Sequence, residues 1–306
     1  MSAVLRNRAL WLFMLAYCLG VGVLAAGGRP LEDTVGVLVI FGLGLPALAL
    51  LCCLRLPPPG APAPPLRREA LILLALLLAV TLFLAVKGYL LGLLLPAAPD
   101  PRWHDVVNTL LKLAAFVAVP ALLLRLVHGA WPSAGVVTAG RARLWLCFVV
   151  LGVIAVAVQF VVGTGARQLL APEVQVRHWV LGVLLCFAWM SLEAGLVEEF
   201  FFRRLLQSRL AALTGSQVSA VCLTALAFGL AHAPGFWLRG AGADEGLGIH
   251  PTLLTAAAYS ITMQGVVGLL FGVLWARTRS FTLVVALHGL IDAAANAAGF
   301  MDTWKL

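Results

Sequence analysis

Charge is scarce in this chain: only 11% of its 306 residues are Asp, Glu, Lys or Arg, while 62% are apolar. A soluble domain of this length could not cover its surface with so few charges, which excludes a water-soluble globular fold. Alternation of apolar and polar residues is missing too. The apolar stretches run unbroken for about 17–25 residues, the length a helix needs to cross ~30 Å of hydrocarbon, so a membrane β-barrel is excluded as well. The six cysteines (Cys18, Cys52, Cys53, Cys147, Cys186 and Cys222) lack metal-ligand spacing. They fall in or beside apolar stretches rather than in outer loops, which reads as packing and not as a disulfide framework. No loop is basic enough to bind nucleic acid. The net charge of +8 follows from membrane topology and anionic lipid.

What remains is an all-α polytopic integral membrane protein of about eight transmembrane helices, within a range of seven to nine. The spans fall near Leu10–Ala26, Thr34–Leu54, Ala70–Leu95, Val106–Leu124, Leu144–Val162, Trp179–Phe202, Ser216–His232, Leu253–Trp275 and Phe281–Phe300. Basic residues precede the first span (Arg6, Arg8), whose length favours a retained anchor over a cleaved signal. With the N-terminus inside, thirteen arginines lie on inner loops against six basic residues on outer ones. The positive-inside rule therefore predicts a cytoplasmic N-terminus, and the lack of other targeting signals fits a bacterial inner membrane. Residues 1–140 read as accessory helices with a stiff Pro-rich inner loop at 55–68. Residues 141–306 read as the functional core.

The acids and histidines make that division. Glu32, Asp33, Asp100, Asp105, Glu173, Asp244, Glu245 and Asp302 belong to outer loops, and Glu69 sits beside an arginine pair. Glu193, Glu198, Glu199 and Asp292 instead lie in or at the edge of apolar segments, with His232 and His288. An ionisable side chain in a bilayer costs at least ~2.5–3.5 kcal/mol, so its retention marks a function.

Spacing gathers these residues. Glu199 and Arg203 are four apart and can pair, leaving Glu198 on a neighbouring face. Phe228 and His232 are also four apart, and His288, Asp292 and Asn296 form one polar stripe. The clearest break between Glu198 and His232 is Thr214-Gly215. Both residues lie ~24–26 Å from it at 1.5 Å per residue, so an antiparallel hairpin sets them level. A topology drawn from hydropathy alone places His232 near the outer face instead; the hairpin is the stronger constraint, since irregular helices surround intramembrane sites. A carboxylate facing an imidazole there is the makings of a general base, and the nearby arginines predict a site in the cytoplasmic half. Glu193 falls on another face and has no evident role. Phe200–Phe202 and Phe228 read as packing, Trp237 and Trp304 as interface anchors.

Glu198-Glu199-x-x-x-Arg203, Phe228-x-x-x-His232 and His288-x-x-x-Asp292 resemble the three signatures of the CAAX-protease and bacteriocin-processing family, also called glutamic-type intramembrane proteases. The resemblance covers roughly residues 180–300. It implies that Glu198 and His232 activate a water, that His288 and Asp292 stabilise the oxyanion, and that Glu199 and Arg203 support them. Amide hydrolysis needs such a base and such a donor. An ionised Asp cannot donate, so Asp292 is either protonated or orients His288, with Asn296 as the alternative donor. The resemblance implies no cofactor and a membrane-anchored or lipidated protein or peptide as substrate: a prenylated tail, a leader peptide or a sorting signal. Two other classes compete. A zinc hydrolase would use the same four residues as ligands, though His-Glu-x-x-His is absent. A proton-coupled transporter or scaffold would show paired broken helices in two related halves, whereas the polar residues here crowd into one.

Overall fold

The computed structural model describes residues 6–54, 68–95, 100–128, 139–169, 176–239 and 251–306, together with 4, 56–57, 137 and 247. Among them there is no strand, and nine helices are long and apolar enough to span a membrane. They are α1 (Arg8–Ala26), α2 (Leu31–Cys52), α3 (Glu69–Leu94), α4 (Pro101–Val127), α5 (Arg141–Val161), α6 (Trp179–Thr214), α7 (Gln217–Leu238), α8 (Leu253–Thr278) and α9 (Phe281–Trp304). The protein is thus an all-α polytopic membrane protein. Most of the Pro-rich stretch (55 and 58–67) and the loop acids Glu173, Asp244 and Glu245 lie outside the described residues.

Local chemistry sets the helix ends. Asn7 caps α1 by accepting from the backbone N–H groups of Ala9 and Leu10, and Ser280 caps α9 by accepting from that of Leu283. Gly215, at φ 63°, closes α6 in the left-handed region that a residue without Cβ enters freely. Two spans differ from their hydropathy limits. Helix α6 runs past Phe202 to Thr214, and α7 runs past His232 to Leu238 despite an internal Pro234. Hydropathy ends both too early because the continuing turns carry Arg203, Arg204, Gln207 and Arg209 in one case and Pro234 in the other. Two of those side chains find partners inside the protein. Gln207 Nε2 donates to the Gly272 carbonyl at 2.8 Å, and Arg209 pairs with the buried Glu69 at the start of α3.

Burial separates a centre from a rim. In α7, α8 and α9 the share of the apolar window buried is 56%, 61% and 50%, against 22–28% in α1–α6. Leu71, Leu126 and Val161 on the outer helices are exposed, as lipid-facing residues are. The main apolar core joins Phe13 and Tyr17 of α1, Phe41 and Leu45 of α2, and Leu151 of α5 to Leu270 of α8 and Leu287 of α9. The cysteines are unbridged, and all but Cys18 are buried.

Between lipid-embedded helices, small residues allow the close approach that packing needs. A Cβ on Gly289 of α9 would meet Ser191 Oγ of α6 at 2.1 Å and its Cα at 2.6 Å. One on Gly195 of α6 would meet the Val285 carbonyl oxygen at 2.6 Å. Likewise a Cβ on Gly229 of α7 would meet the Ser260 carbonyl oxygen of α8 at 2.7 Å. These contacts lie within three residues of Glu198, His288 and His232, so they fix the distances between them. Gly289→Val is therefore expected to lower the thermal midpoint sharply, overpacking at a rigid contact costing ~1–3 kcal/mol or more. Melting in detergent followed by tryptophan fluorescence checks this; an unchanged midpoint would show that the α6–α9 contact is loose.

Candidate active site

Glu198 and Glu199 sit on a short α-helical turn of α6, between two stretches widened to π-helical pitch (Ser191–Leu196 and Phe200–Gln207). Such widened turns are common at functional sites because they reorient side chains without ending the helix. Here they turn the two carboxylates toward different neighbours.

Glu199 is fully buried. Its Oε2 accepts from Arg203 Nε at 3.0 Å, and its Oε1 meets His288 Nδ1 at 2.9 Å. A carboxylate in a salt bridge only accepts, so Nδ1 carries the hydrogen. The remaining His288 nitrogen, Nε2, lies 3.4 Å from Asp292 Oδ2 and 3.8 Å from Glu198 Oε2. Phe271 stacks on the ring at 4.7 Å between centroids and 14° between planes. Tilt and rotation of His288 are thereby both set.

Glu198 also faces His232. Its Oε1 is 3.9 Å from His232 Nε2, while His232 Nδ1 donates to the Phe228 carbonyl at 2.7 Å. A carbonyl cannot donate, so in the neutral ring Nε2 is left as an acceptor. Two acceptors thus confront each other across 3.9 Å, a span that one water bridges by donating to both. The level placement of Glu198 and His232 follows from the α6–α7 hairpin, whose turn falls at Thr214-Gly215.

These residues line a cavity of about 210 Å³, with walls from Glu198, Phe228, His232, Gln264, Phe271, His288, Asp292 and Asn296 among others. Asn296 donates to the Asp292 backbone carbonyl at 2.8 Å, which commits one of its two side-chain hydrogens within the helix. Arg203 does not reach the cavity; it lies fully buried against the Phe228 and Phe271 rings. Phe201, Phe202 and Phe228 are buried in a cluster with Phe116 of α4.

The sequence points to Glu193 without a role for it and does not point to Asn108, Lys112 or Gln264 as neighbours of the site. Glu193 has partners in α4: Asn108 Nδ2 donates to its Oε1 at 2.9 Å, and Lys112 Nζ lies 3.2 Å from the same oxygen. Lys112 Nζ is also 3.9 Å from Glu198 Oε1. Gln264 enters the cavity from α8. Lys112 as an intramembrane cation was the available signal; its destination was not, because about eighty residues of chain intervene.

The fold and the cleft are those of a polytopic membrane protein with a polar site built from its last four helices. Residues 177–294 match the family model described as type II CAAX prenyl endopeptidase Rce1-like. That segment holds all three motifs, and its similarity to CAAX-type prenyl endopeptidases agrees with the resemblance they carry. Searches of curated proteins and of solved structures gave no match.

Proposed function

We propose that the chain is an intramembrane endopeptidase that hydrolyses a peptide bond of a membrane-anchored or lipidated substrate with Glu198 and His232 as the water-activating pair. The observation that carries this reading is the pair of acceptors, Glu198 Oε1 and His232 Nε2, held 3.9 Å apart at the lining of the cavity. A water donating to both presents its lone pair to a substrate carbonyl, and the proton it loses passes to Glu198 or His232. The same group returns that proton to the leaving amine. Beside them, with Nε2 3.8 Å from Glu198 Oε2, His288 is oriented through Nδ1 by Glu199. In its protonated form it turns an Nε2–H toward the cavity, where negative charge develops on the carbonyl oxygen. Asp292 borders that nitrogen. We place the site toward the cytoplasmic side of a bacterial inner membrane with the N-terminus inside, as the arginine asymmetry supports.

The reading is tested by reconstituting the protein in liposomes with a farnesylated peptide ending in a CAAX tail. Parallel comparison of membrane proteins by mass spectrometry, with and without the active enzyme, identifies other substrates. Release of a fragment by the wild type supports it; no cleavage in either assay overturns it.

The reaction as proposed routes no step through a metal. Protein shown to be metal-free by elemental analysis is therefore expected to retain full turnover in the presence of a strong chelator. Stoichiometric zinc whose removal and return switch cleavage off and on would replace this mechanism with a zinc hydrolase.

A further inference from the structure

Lys112 stands apart from the rest of the site. It lies on α4, outside the segment that matches the family model, yet its side chain is 7% exposed and ends among the carboxylates of α6. Its Nζ is 3.2 Å from Glu193 Oε1 and 3.9 Å from Glu198 Oε1, so one cation is shared by two acids a helical turn and a half apart. Asn108, one turn earlier on α4, donates to the same Glu193 oxygen at 2.9 Å and holds that acid toward α4. Four carboxylates (Glu193, Glu198, Glu199, Asp292) crowd this region, and Arg203 is taken up by Glu199. Among the described residues, Lys112 is the permanent cation within 4 Å of Glu198. Removing one partner of a buried pair leaves an uncompensated charge, the costly case.

We propose that Lys112 is a positioning residue for Glu198: the accessory helix α4 supplies the cation that holds this carboxylate in place opposite His232. Glu193 and Asn108 form the other half of the device. They anchor the ammonium so that it lies beside Glu198 at 3.9 Å rather than closing on it as a tight pair, which would occupy the oxygen the water needs. The role rests on the reading of Glu198 as the base, although the contact itself does not.

The test uses full-length protein in the Glu193→Gln background, where Lys112 has lost its competing acid and its removal strands only Glu198. Melting midpoints in detergent are compared for E193Q, E193Q/K112M, E193Q/E198Q and the triple variant. If Lys112 engages Glu198, the loss in the triple variant falls well short of the sum of the two separate losses, as it does for residues in contact. Additive losses overturn the proposal, whether or not the protein cleaves the farnesylated peptide. Turnover then separates positioning from mere stability. E193Q/K112M is expected to lose about tenfold or more in kcat relative to E193Q, with KM within about twofold, tenfold being ~1.4 kcal/mol of transition-state stabilisation. An unchanged kcat in a folded E193Q/K112M protein overturns it. A wild type that cleaves nothing defeats the proposed function alone, and the melting cycle still decides the role of Lys112.

Discussion

Glu198→Gln is expected to lower turnover by the ~10²–10⁴-fold that general-base catalysis contributes, and to leave the helices assembled. The amide keeps the shape of the carboxyl group and an acceptor oxygen for a donor from His288, so the packing of α6 against α7 and α9 is retained. What it loses is the capacity to take a proton. With His232 Nδ1 committed to the Phe228 carbonyl, Nε2 alone would accept from the water, and the second acceptor that polarises it is gone. His232→Ala is expected to fall as far for the complementary reason. Rates of peptide cleavage in liposomes, with melting midpoints as the control for folding, check both. A folded Glu198→Gln protein that retains more than about a tenth of wild-type turnover removes Glu198 from the chemistry.

The sequence disclosed this site unevenly, and the unevenness follows from distance along the chain. Glu199–Arg203 and the His288–Asp292 stripe are local, since residues four apart on a helix are neighbours wherever the helix goes. The meeting of Glu198 with His232 needed one further assumption, a turn at Thr214-Gly215, and one helix rise carried it. Hydropathy misjudged the same region, ending α6 at Phe202 and α7 at His232, because it scores Arg203, Gln207 and Pro234 as though lipid were their only possible surroundings. Inside the protein, Glu199 accepts from Arg203 and the Gly272 carbonyl of α8 accepts from Gln207. The link from His288 to Glu199 joins residues 89 apart in sequence and was not legible. Neither were Lys112 and Asn108, whose contacts with Glu193 span 81 and 85 residues. Their positions depend on how α4 is rotated against α6. That rotation is set by packing such as Phe116 against Phe201 and Phe202, which no periodicity records.

Asp292→Ala is expected to lose ~10²–10³ in turnover, the usual cost of one oxyanion contact, and Asp292→Asn to keep most of it. The carboxyl stands 3.4 Å from His288 Nε2 on a side chain 31% exposed, at the edge of the cavity one turn beyond the imidazole. Two roles are open to it there. As an acceptor it would hold the His288 Nε2–H until the substrate carbonyl arrives; as a protonated acid it would itself donate to the developing oxyanion. Asn serves either role, with a carbonyl oxygen for the first and an NH₂ for the second, in nearly the same volume. Ala serves neither, and it leaves His288 held only through Nδ1 by Glu199 and through its face by Phe271. The two substitutions thus ask one question, whether a polar atom is needed at this position whatever its charge. Their kcat values on the farnesylated peptide, each set against Asn296→Ala, give the answer. If Asn is as damaging as Ala, a negative charge is required, and Asp292 acts on His288 as an ionic partner rather than on the substrate. In that case Asn296→Ala is damaging too, because a second donor beside His288 is then needed and Asn296 is the cavity residue one turn further on. If both Asp292 variants turn over at the wild-type rate, His288 alone carries what α9 contributes to the reaction.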